Sequence, residues 1–414
     1  MFQPVKVVDV ELTAGVRGVE DLEGYAAVMA LIRVHGAPIG QVSVPVEGGR
    51  CSADALRREI AHVSRDASPS RTSRPPGSSE VTVAVCTRNR TASLADCLRS
   101  LTRLRDPRID LLVVDNAPDS DATERLVRSY PGIRYVLEPR PGLNWARNRA
   151  IAEARGTILA YTDDDVMVDA GWVDAVAGVF AEHAEVQAVT GLVVPQELET
   201  EAQALFESRA GFGRGFERRW YRRDAPPFGP DFHVPAWRFG TGANMAFRTR
   251  LFETIGGFDP ALDVGTVTGG GGDLEMFFRV LEEGHTLVYE PAAIVRHRHR
   301  RDYGALKAQL KDYGIGRSAF LVRCAAAYPR RRRAIIRYWL RSTRGRVLRL
   351  LQSCVAGHAV TRQLTLADVA GTFLGLVRYR RARRIATEIE RAFGPIDLHA
   401  TRGRTPMLEP LARR

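Results

Sequence analysis

The sequence predicts an α/β chain built on a mostly parallel sheet with helices on both faces. Three observations carry this. Between about Glu80 and Asp165, apolar runs of strand length alternate with amphipathic segments of helical spacing. The apolar runs are nearly continuous, as expected of strands covered on both sides. Three of them end in polar clusters, Cys86-Thr87-Arg88-Asn89-Arg90, Asp115-Asn116 and Thr162-Asp163-Asp164-Asp165, and sheets of this kind bind ligands at the carboxyl ends of their strands.

Taken in order, EVTVAVCT reads as a strand and TASLADCLRSLTRL as a helix with Leu94, Leu98 and Leu101 on one face. IDLLVVDNA is a buried strand, and SDATERLVRSY a helix capped from Asp119 to Asp121. IRYVLEP is a strand, LNWARNRAIAEA a helix, and TILAYTDDD a strand. Before this block, residues 1–63 form a small α+β unit: VKVVDVEL and QVSVPV have strand character, AAVMALIRVHG is apolar and ambiguous, and SADALRREIAHV is helical. Residues 64–79, rich in Ser, Pro and Arg, read as a linker. The block continues to about residue 300. Residues 301–414 read as a separate, basic helical region, including RRRRAIIRYWLRSTRGRVLR (330–349) and VRYRRARR (377–384).

Composition sets wide bounds. The 414 residues are 45% apolar and 26% charged, ordinary globular usage. The net charge of +12 favours polyanionic partners without choosing among nucleic acid, an acidic membrane surface and phosphorylated small molecules. Five cysteines with no CxxC pair argue against a zinc cluster or redox pair, and reduced cysteines fit a cytoplasmic protein. The N-terminal segment has no apolar h-region, so no signal peptide is expected. No window of ~18 uncharged apolar residues suggests a spanning helix.

The chemistry is concentrated in a few strings. Clustered carboxylates such as Asp163, Asp164 and Asp165 repel one another and are tolerated when a divalent cation or solvent neutralises them. Mg2+ and Mn2+ take oxygen ligands and bind phosphates at the same time, so this cluster suits a metal diphosphate. Cys86-Thr87-Arg88-Asn89-Arg90 follows the first strand, where a base and ribose can sit. A carboxylate at Asp115 can accept the N3–H of uracil or a guanine edge proton. In RPGLNWARN, Gly142 permits close backbone approach and the following helix start favours anions. Downstream stand FGTGANMAFR (239–248), IGGFD (255–259) and GGGGDLE (269–275). Asp273 there is either a helix cap or a general base toward a bound hydroxyl. The strand ending in Val295-Arg296-His297-Arg298-His299 offers a metal ligand.

Read together, TRNR, VVDN, RPGLNWARN, TDDD, GTGANMAFR, IGGFD, GGDLE and HRH resemble the family 2 glycosyltransferases, which have the GT-A fold. The likeness covers roughly residues 80–300. It implies that Thr87, Arg88 and Asp115 contact the base, with Asn89 and Asn116 nearby, and that Arg147 and Asn148 lie by the ribose and diphosphate. It implies that Asp163 and Asp164 face the nucleotide sugar, and that Gly242 and Asn244 line the sugar pocket. Asp165, with Asp163 and His297 or His299, would hold Mg2+ or Mn2+. Asp273 would be the catalytic base of an inverting displacement, with the donor a nucleotide-diphosphate sugar and UDP expected. The family's usual Glu-Asp pair is here Gly272-Asp273, which leaves Glu275 as the substitute acid. The Gln-x-x-Arg-Trp string of processive synthases is absent; the nearest is Glu217-Arg218-Arg219-Trp220.

Other classes fit the motifs less well. A dinucleotide oxidoreductase needs a glycine turn after the first strand, and CTRNRTASL has none. A metal-dependent nucleotidyltransferase uses paired acids but does not call for GTGANMAFR and GGDLE. A catalytically inactive scaffold would rest on the Arg-rich tail, whose interleaved Ile, Trp and Leu suit either an anionic membrane or packing. The expected partners are a sugar donor, a hydroxyl acceptor that is lipid-linked or a glycan, and an anionic membrane surface, with no specific nucleic acid. The expected location is cytoplasmic, peripheral on the inner face of the plasma membrane.

Overall fold

The computed structural model describes residues 2–63, 80–226, 229, 231, 233–355 and 359–398. The expected linker, 64–79, lies outside the described residues. The N-terminal unit consists of β1 (Val5–Glu11), β2 (Ala27–Val34), β3 (Ala37–Pro45) and α1 (Ala53–Val63). The ambiguous apolar run becomes β2. It turns into β3 through His35-Gly36, both at positive φ (50° and 82°), the backbone of a tight hairpin. β1 pairs parallel to β2. Val28, Ile32, Val44, Leu56 and Ile60 give the unit its own core. It docks on the rest of the chain through Val5 N–H to the Leu198 carbonyl (3.0 Å), Arg33 to Asp169 (2.7 and 3.0 Å) and Arg296 to Asp9 (2.6 Å).

The central block runs β4 (Val81–Thr87), α2 (Thr91–Leu101), β5 (Ile109–Asn116), α3 (Ala122–Arg128), β6 (Ile133–Glu138), α4 (Leu143–Glu153), β7 (Ile158–Asp163) and β8 (Val166–Val168). It continues α5 (Trp172–Glu182), β9 (Val186–Pro195), α6 (Glu201–Ala210), β10 (Arg219–Tyr221), β11 (Asn244–Arg248), α7 (Leu251–Ile255), α8 (Gly272–Glu282) and β12 (Thr286–His297). The sheet order is β10-β12-β9-β11-β7-β4-β5-β6, with β8 added on β12. Alternation along the strands feeds two cores: Val83, Val85 and Val113 pack with α2 and α5, while Ala84, Leu112 and Val114 pack with α4 and α8. Residue Asp121 begins α3, but its side chain makes no capping hydrogen bond.

The expectation of a mostly parallel sheet holds for one half only. The pairings β4–β5, β5–β6, β4–β7 and β9–β12 are parallel. β11 inserts antiparallel between β7 and β9, and β8 and β10 pair antiparallel with β12. The insertion sets Asn244 opposite Thr162, so the glycine loop before β11 arrives at the carboxyl end of β7. A crossover helix before β11 would have carried that loop to the opposite edge.

Three long helices follow: α9 (Tyr303–Ala327), α10 (Arg332–Val355) and α11 (Ala359–Phe393). They are not separate from the central block, as sequence texture suggested. Ala319, Phe320 and Cys324 of α9, Ile335 of α10 and Tyr379 of α11 share one apolar cluster with Phe258, Phe277 and Phe278. Interleaved apolar residues among arginines looked like an independent amphipathic segment because half of them are needed for this contact. Among the described residues no helix is long and apolar enough to cross a membrane.

α9 and α11 cross closely enough that a Cβ on Gly371 would lie 2.0 Å from the Lys311 carbonyl oxygen, and one on Gly314 would lie 2.3 Å from that of Asp368. Gly371→Ala is therefore expected to destabilise the chain by about 1–3 kcal/mol, as overpacking does. A denaturant titration with an unchanged midpoint would refute the tight crossing.

Candidate active site

A cavity of about 2050 Å³ opens at the carboxyl ends of β4, β7 and β12 and runs under α9, α10 and α11. At its floor, one ligand atom from each of Asp163, Asp165 and His297 lies within 4.8 Å of the others. β8 pairing with β12 sets Val166 opposite His297, and this brings the histidine to the acidic cluster across a long sequence gap. Burial first, then the neighbouring Asp165, pushes the Asp163 carboxyl up to about 7. Burial acts the same way on Asp165, but His297 and Arg90 outweigh it and hold that carboxyl below its ordinary value. Burial pushes His297 down to about 4, so the ring is neutral at pH 7. The Asp163 carboxyl, short of positive charge, the Asp165 carboxylate and one neutral imidazole form a donor set suited to Mg2+ or Mn2+.

The third acid serves another purpose. Asp164 accepts from Thr87 Oγ1 (2.7 Å) and from Arg90 (2.6 Å), while a second arm of Arg90 reaches Asp165 at 2.8 Å. Asp164 thus fixes the loop after β4 and does not face the cavity alone; burial raises its carboxyl to about 6 against the Arg90 charge.

The opposite wall is built around Arg147 on α4. Its guanidinium donates to Asp263 (2.6 Å) and Asn144 (3.0 Å). Burial opposes its charge, and Asp263, Asp163 and Asp273 sustain it. Asp273 accepts from Gly242 N–H and Leu274 N–H, both at 2.8 Å. Burial and Asp263 raise its carboxyl above the ordinary value, and Arg147 opposes them. A Cβ on Gly242 would stand 2.6 Å from the Arg147 guanidinium, so the glycine is what lets these groups converge.

The remaining expected residues divide. Thr87, Arg88 and Asn116 line the cavity. Asn116 holds the RPG turn, donating to the Arg140 carbonyl (2.7 Å) and accepting from Gly142 N–H (2.8 Å). Asp115 is fully buried beneath it and accepts from the Tyr135 hydroxyl at 3.0 Å. Asn89, at φ 54°, is turned to Asp119 (2.6 Å) and lies off the cavity.

Asn148 and Asn244 are not in the cavity wall. Asn148 both donates to and accepts from the Phe258 backbone (2.9 and 2.7 Å), which pins the IGGFD turn. Asn244 accepts from Trp172 Nε1 (2.8 Å) and donates to the Leu192 and Ala293 carbonyls. Polar residues inside these strings look like ligand contacts, yet here each hydrogen-bonds to buried backbone.

Two expected roles are corrected. Glu275 is fully buried and paired with Arg279 (2.8 Å) and Arg323 (3.3 Å), away from the cavity, so it cannot substitute for the missing acid. Its helical position, two residues beyond Asp273, points it to the core face of α8. His299 is not in the metal group. Its Nε2 meets Glu207 at 2.9 Å and its Nδ1 meets His297 Nδ1 at 3.1 Å. A carboxylate only accepts, so His299 Nε2–H donates the hydrogen bond to Glu207. With one proton on each ring, His299 then accepts from His297, which leaves His297 Nε2 as a lone pair facing Asp165 at 3.3 Å.

Sequence reasoning missed Asp263 and Glu207, and it gave Arg90, part of the CTRNR string, no role of its own. Asp263 sits at φ 81°, a conformation no sequence pattern announced, and Glu207 comes from a helix with no motif. A Cβ on Gly272 would lie 2.6 Å from Asp263 Oδ2 and 2.3 Å from Asn144 Nδ2. The space for the family's missing glutamate is therefore already filled.

Residues 82–256 match the model of Glycosyl transferase family 2. A pre-mycofactocin glycosyltransferase of Mycobacterium tuberculosis is 27% identical over 64% of this chain and 52% of its own length. A glucosyl-dolichyl phosphate glucuronosyltransferase of Haloferax volcanii is 23% identical over 53% of this chain and 69% of its own. The chain thus spans about half the length of the first of these relatives. Among solved structures, a mannosyltransferase from Pyrobaculum calidifontis in complex with GDP-Man and Mn2+ is 18% identical, with TM-score 0.42, covering 81% of this chain and 82% of that one.

The Glu207–His299–His297 chain makes a prediction. Glu207→Ala is expected to weaken Mn2+ binding about tenfold, while Glu207→Gln, which keeps an acceptor, retains most of it. Calorimetric titration with Mn2+ checks this; equal affinities in all three proteins would show that the chain does not orient His297.

Proposed function

Residues 82–256 belong to glycosyl transferase family 2, and on that premise we propose that the chain moves a sugar from a nucleotide-diphosphate sugar to an acceptor hydroxyl. The observation that carries the reading is the meeting of Asp163, Asp165 and His297 with Arg147 and Asp273 around one cavity. Asp163, Asp165 and His297 would hold Mg2+ or Mn2+, which when bound supplies charge for the departing diphosphate. Thr87 and Arg88 lie at the edge where the nucleotide enters, and Asp115 and Asn116 support that end from below. UDP is proposed as the donor nucleotide on the sequence resemblance alone, since Asp115 is buried and stands outside the cavity wall.

The reaction is proposed to be an inverting displacement. Arg147, held rigid by Asp263, adds fixed positive potential beside the acids. Asp273 takes the acceptor proton as the acceptor oxygen bonds to the anomeric carbon and the bond to the diphosphate breaks. Its raised pKa suits a base, and the two backbone N–H groups hold it in place. None of Glu217 to Trp220 lines the cavity, and Arg218 is paired with Glu290 (2.6 Å), which supports a non-processive enzyme.

An anionic membrane is proposed as a partner of α10. Ile336, Leu340 and Leu351 are 49%, 56% and 57% exposed, on a face shared with exposed Arg337 and Arg344. The proposed location is the cytoplasmic leaflet.

Two outcomes test these proposals. Asp273→Asn is expected to lose about 10²–10⁴ in turnover while binding UDP with Mn2+ as before. Near-wild-type turnover would remove Asp273 from the base role, and release of pyrophosphate in place of nucleoside diphosphate would make the chain a nucleotidyltransferase. Full-length protein is expected to co-sediment with phosphatidylserine vesicles at low salt and to lose this with Leu340→Asp. Protein left in the supernatant in both cases would refute the membrane partner.

A further inference from the structure

The cavity does not end at the acidic centre. It extends into a recess between α6, α9, α10 and α11, lined by Arg209, Arg317, Arg341, Arg346 and Arg349. Asp368 of α11 stands among them and accepts from Arg317 and from Arg346 Nε (3.1 Å). Among the described residues Arg209 hydrogen-bonds to the Thr365 hydroxyl, at 2.7 Å, and to no carboxylate. The recess therefore holds several guanidiniums to one carboxylate.

Helix packing alone does not require this. One arginine pairing with Asp368 would tie α10 or α9 to α11; two do so here, and Arg209, Arg341 and Arg349 remain in excess. The cluster is costly as it stands. Arg346 is 8% exposed, and its Nη1 and the Nε of Arg317 are buried without a hydrogen-bond partner. Burial, with the charges of Arg317 and Arg349, pushes the Arg346 guanidinium below its ordinary pKa, although Asp368 opposes this. A buried donor left unsatisfied destabilises the fold unless something else completes it. Forked guanidiniums at close quarters match the oxygens of a phosphate group.

We propose that this recess is an anion subsite that holds a phosphate group carried by the acceptor, in the same cavity as the metal-binding residues and walled by the C-terminal helices. Only the word acceptor rests on the glycosyltransferase reading; the anion site stands on the cluster itself. The recess face of α10 adjoins the face that carries exposed Ile336, Leu340 and Leu351. A phosphate on a lipid and a phosphate on a soluble ester share the recognising chemistry, and the test separates them.

The experiment titrates full-length protein with inorganic phosphate in EDTA, with binding of UDP and Mn2+ measured in parallel. Saturable phosphate binding is expected, weakened about tenfold or more in Arg346→Gln and in Arg349→Gln, with UDP binding unchanged in both. Arg349 is exposed, so its variant reports on the site even if Arg346→Gln fails to fold. Absence of phosphate binding, an unaltered affinity in Arg349→Gln, or phosphate binding lost instead in Asp165→Ala would overturn the proposal. Competition by glycerol phosphate alone would identify a soluble ester. Adsorption to neutral vesicles doped with dicetyl phosphate, lost in Arg349→Gln, would identify a lipid-borne one. Phosphate binding retained with no nucleotide bound under any condition would support the anion site and sink the glycosyltransferase reading.

Discussion

Three consecutive carboxylates at the end of a buried strand are the constraint on which the rest of this structure depends. At the separations within this cluster, like charges oppose one another by roughly 3–4 kcal/mol per pair at an effective dielectric near 20. The chain divides the problem. Arg90 takes Asp164 and one oxygen of Asp165, His297 faces the other oxygen of Asp165, and Asp163 is left facing the cavity. The loop after β4 is held by the first of these contacts, and the pairing of β8 with β12 brings the second.

The second constraint is space. Arg147, Asp263 and Asp273 can share one wall because glycines stand where any side chain would collide. Gly242 faces Arg147, and Gly272 faces Asn144 and Asp263. Gly271 lies against Gly316 of α9, where an added Cβ would be 2.5 Å from the carbonyl oxygen. The GGGG run is therefore a packing device as much as a loop. It lets a long C-terminal helix press onto the start of α8, two residues from the proposed base.

That contact changes what the C-terminal helices are. By sharing a core with the sheet they close one side of the cavity and line it with arginines, while the outer face of α10 keeps exposed leucines. A single helix supplies packing, lining and an apolar surface because successive residues point in different directions around a 3.6-residue period. Composition, which averages over that period, reports only that the segment is basic and partly apolar.

The sequence by itself determined the parallel half of the sheet, the positions of its strands and helices, and the edge at which ligands are met. It did so because burial on both faces leaves unbroken apolar runs and because strand ends carry their chemistry in contiguous letters. Asp163 and Asp165 were legible for that reason, while Arg147 and Asp273 stood in glycine-led helix starts. Tertiary structure alone decided the antiparallel insertion of β11, the choice of His297 over His299, the removal of Glu275 to an ion pair with Arg279 and the arrival of Asp263 and Glu207. It also showed that Asn148 and Asn244 hold backbone and do not line the cavity. Each of these depends on which way a side chain points once distant segments meet, and that direction is set by register and packing between elements, which local sequence does not encode.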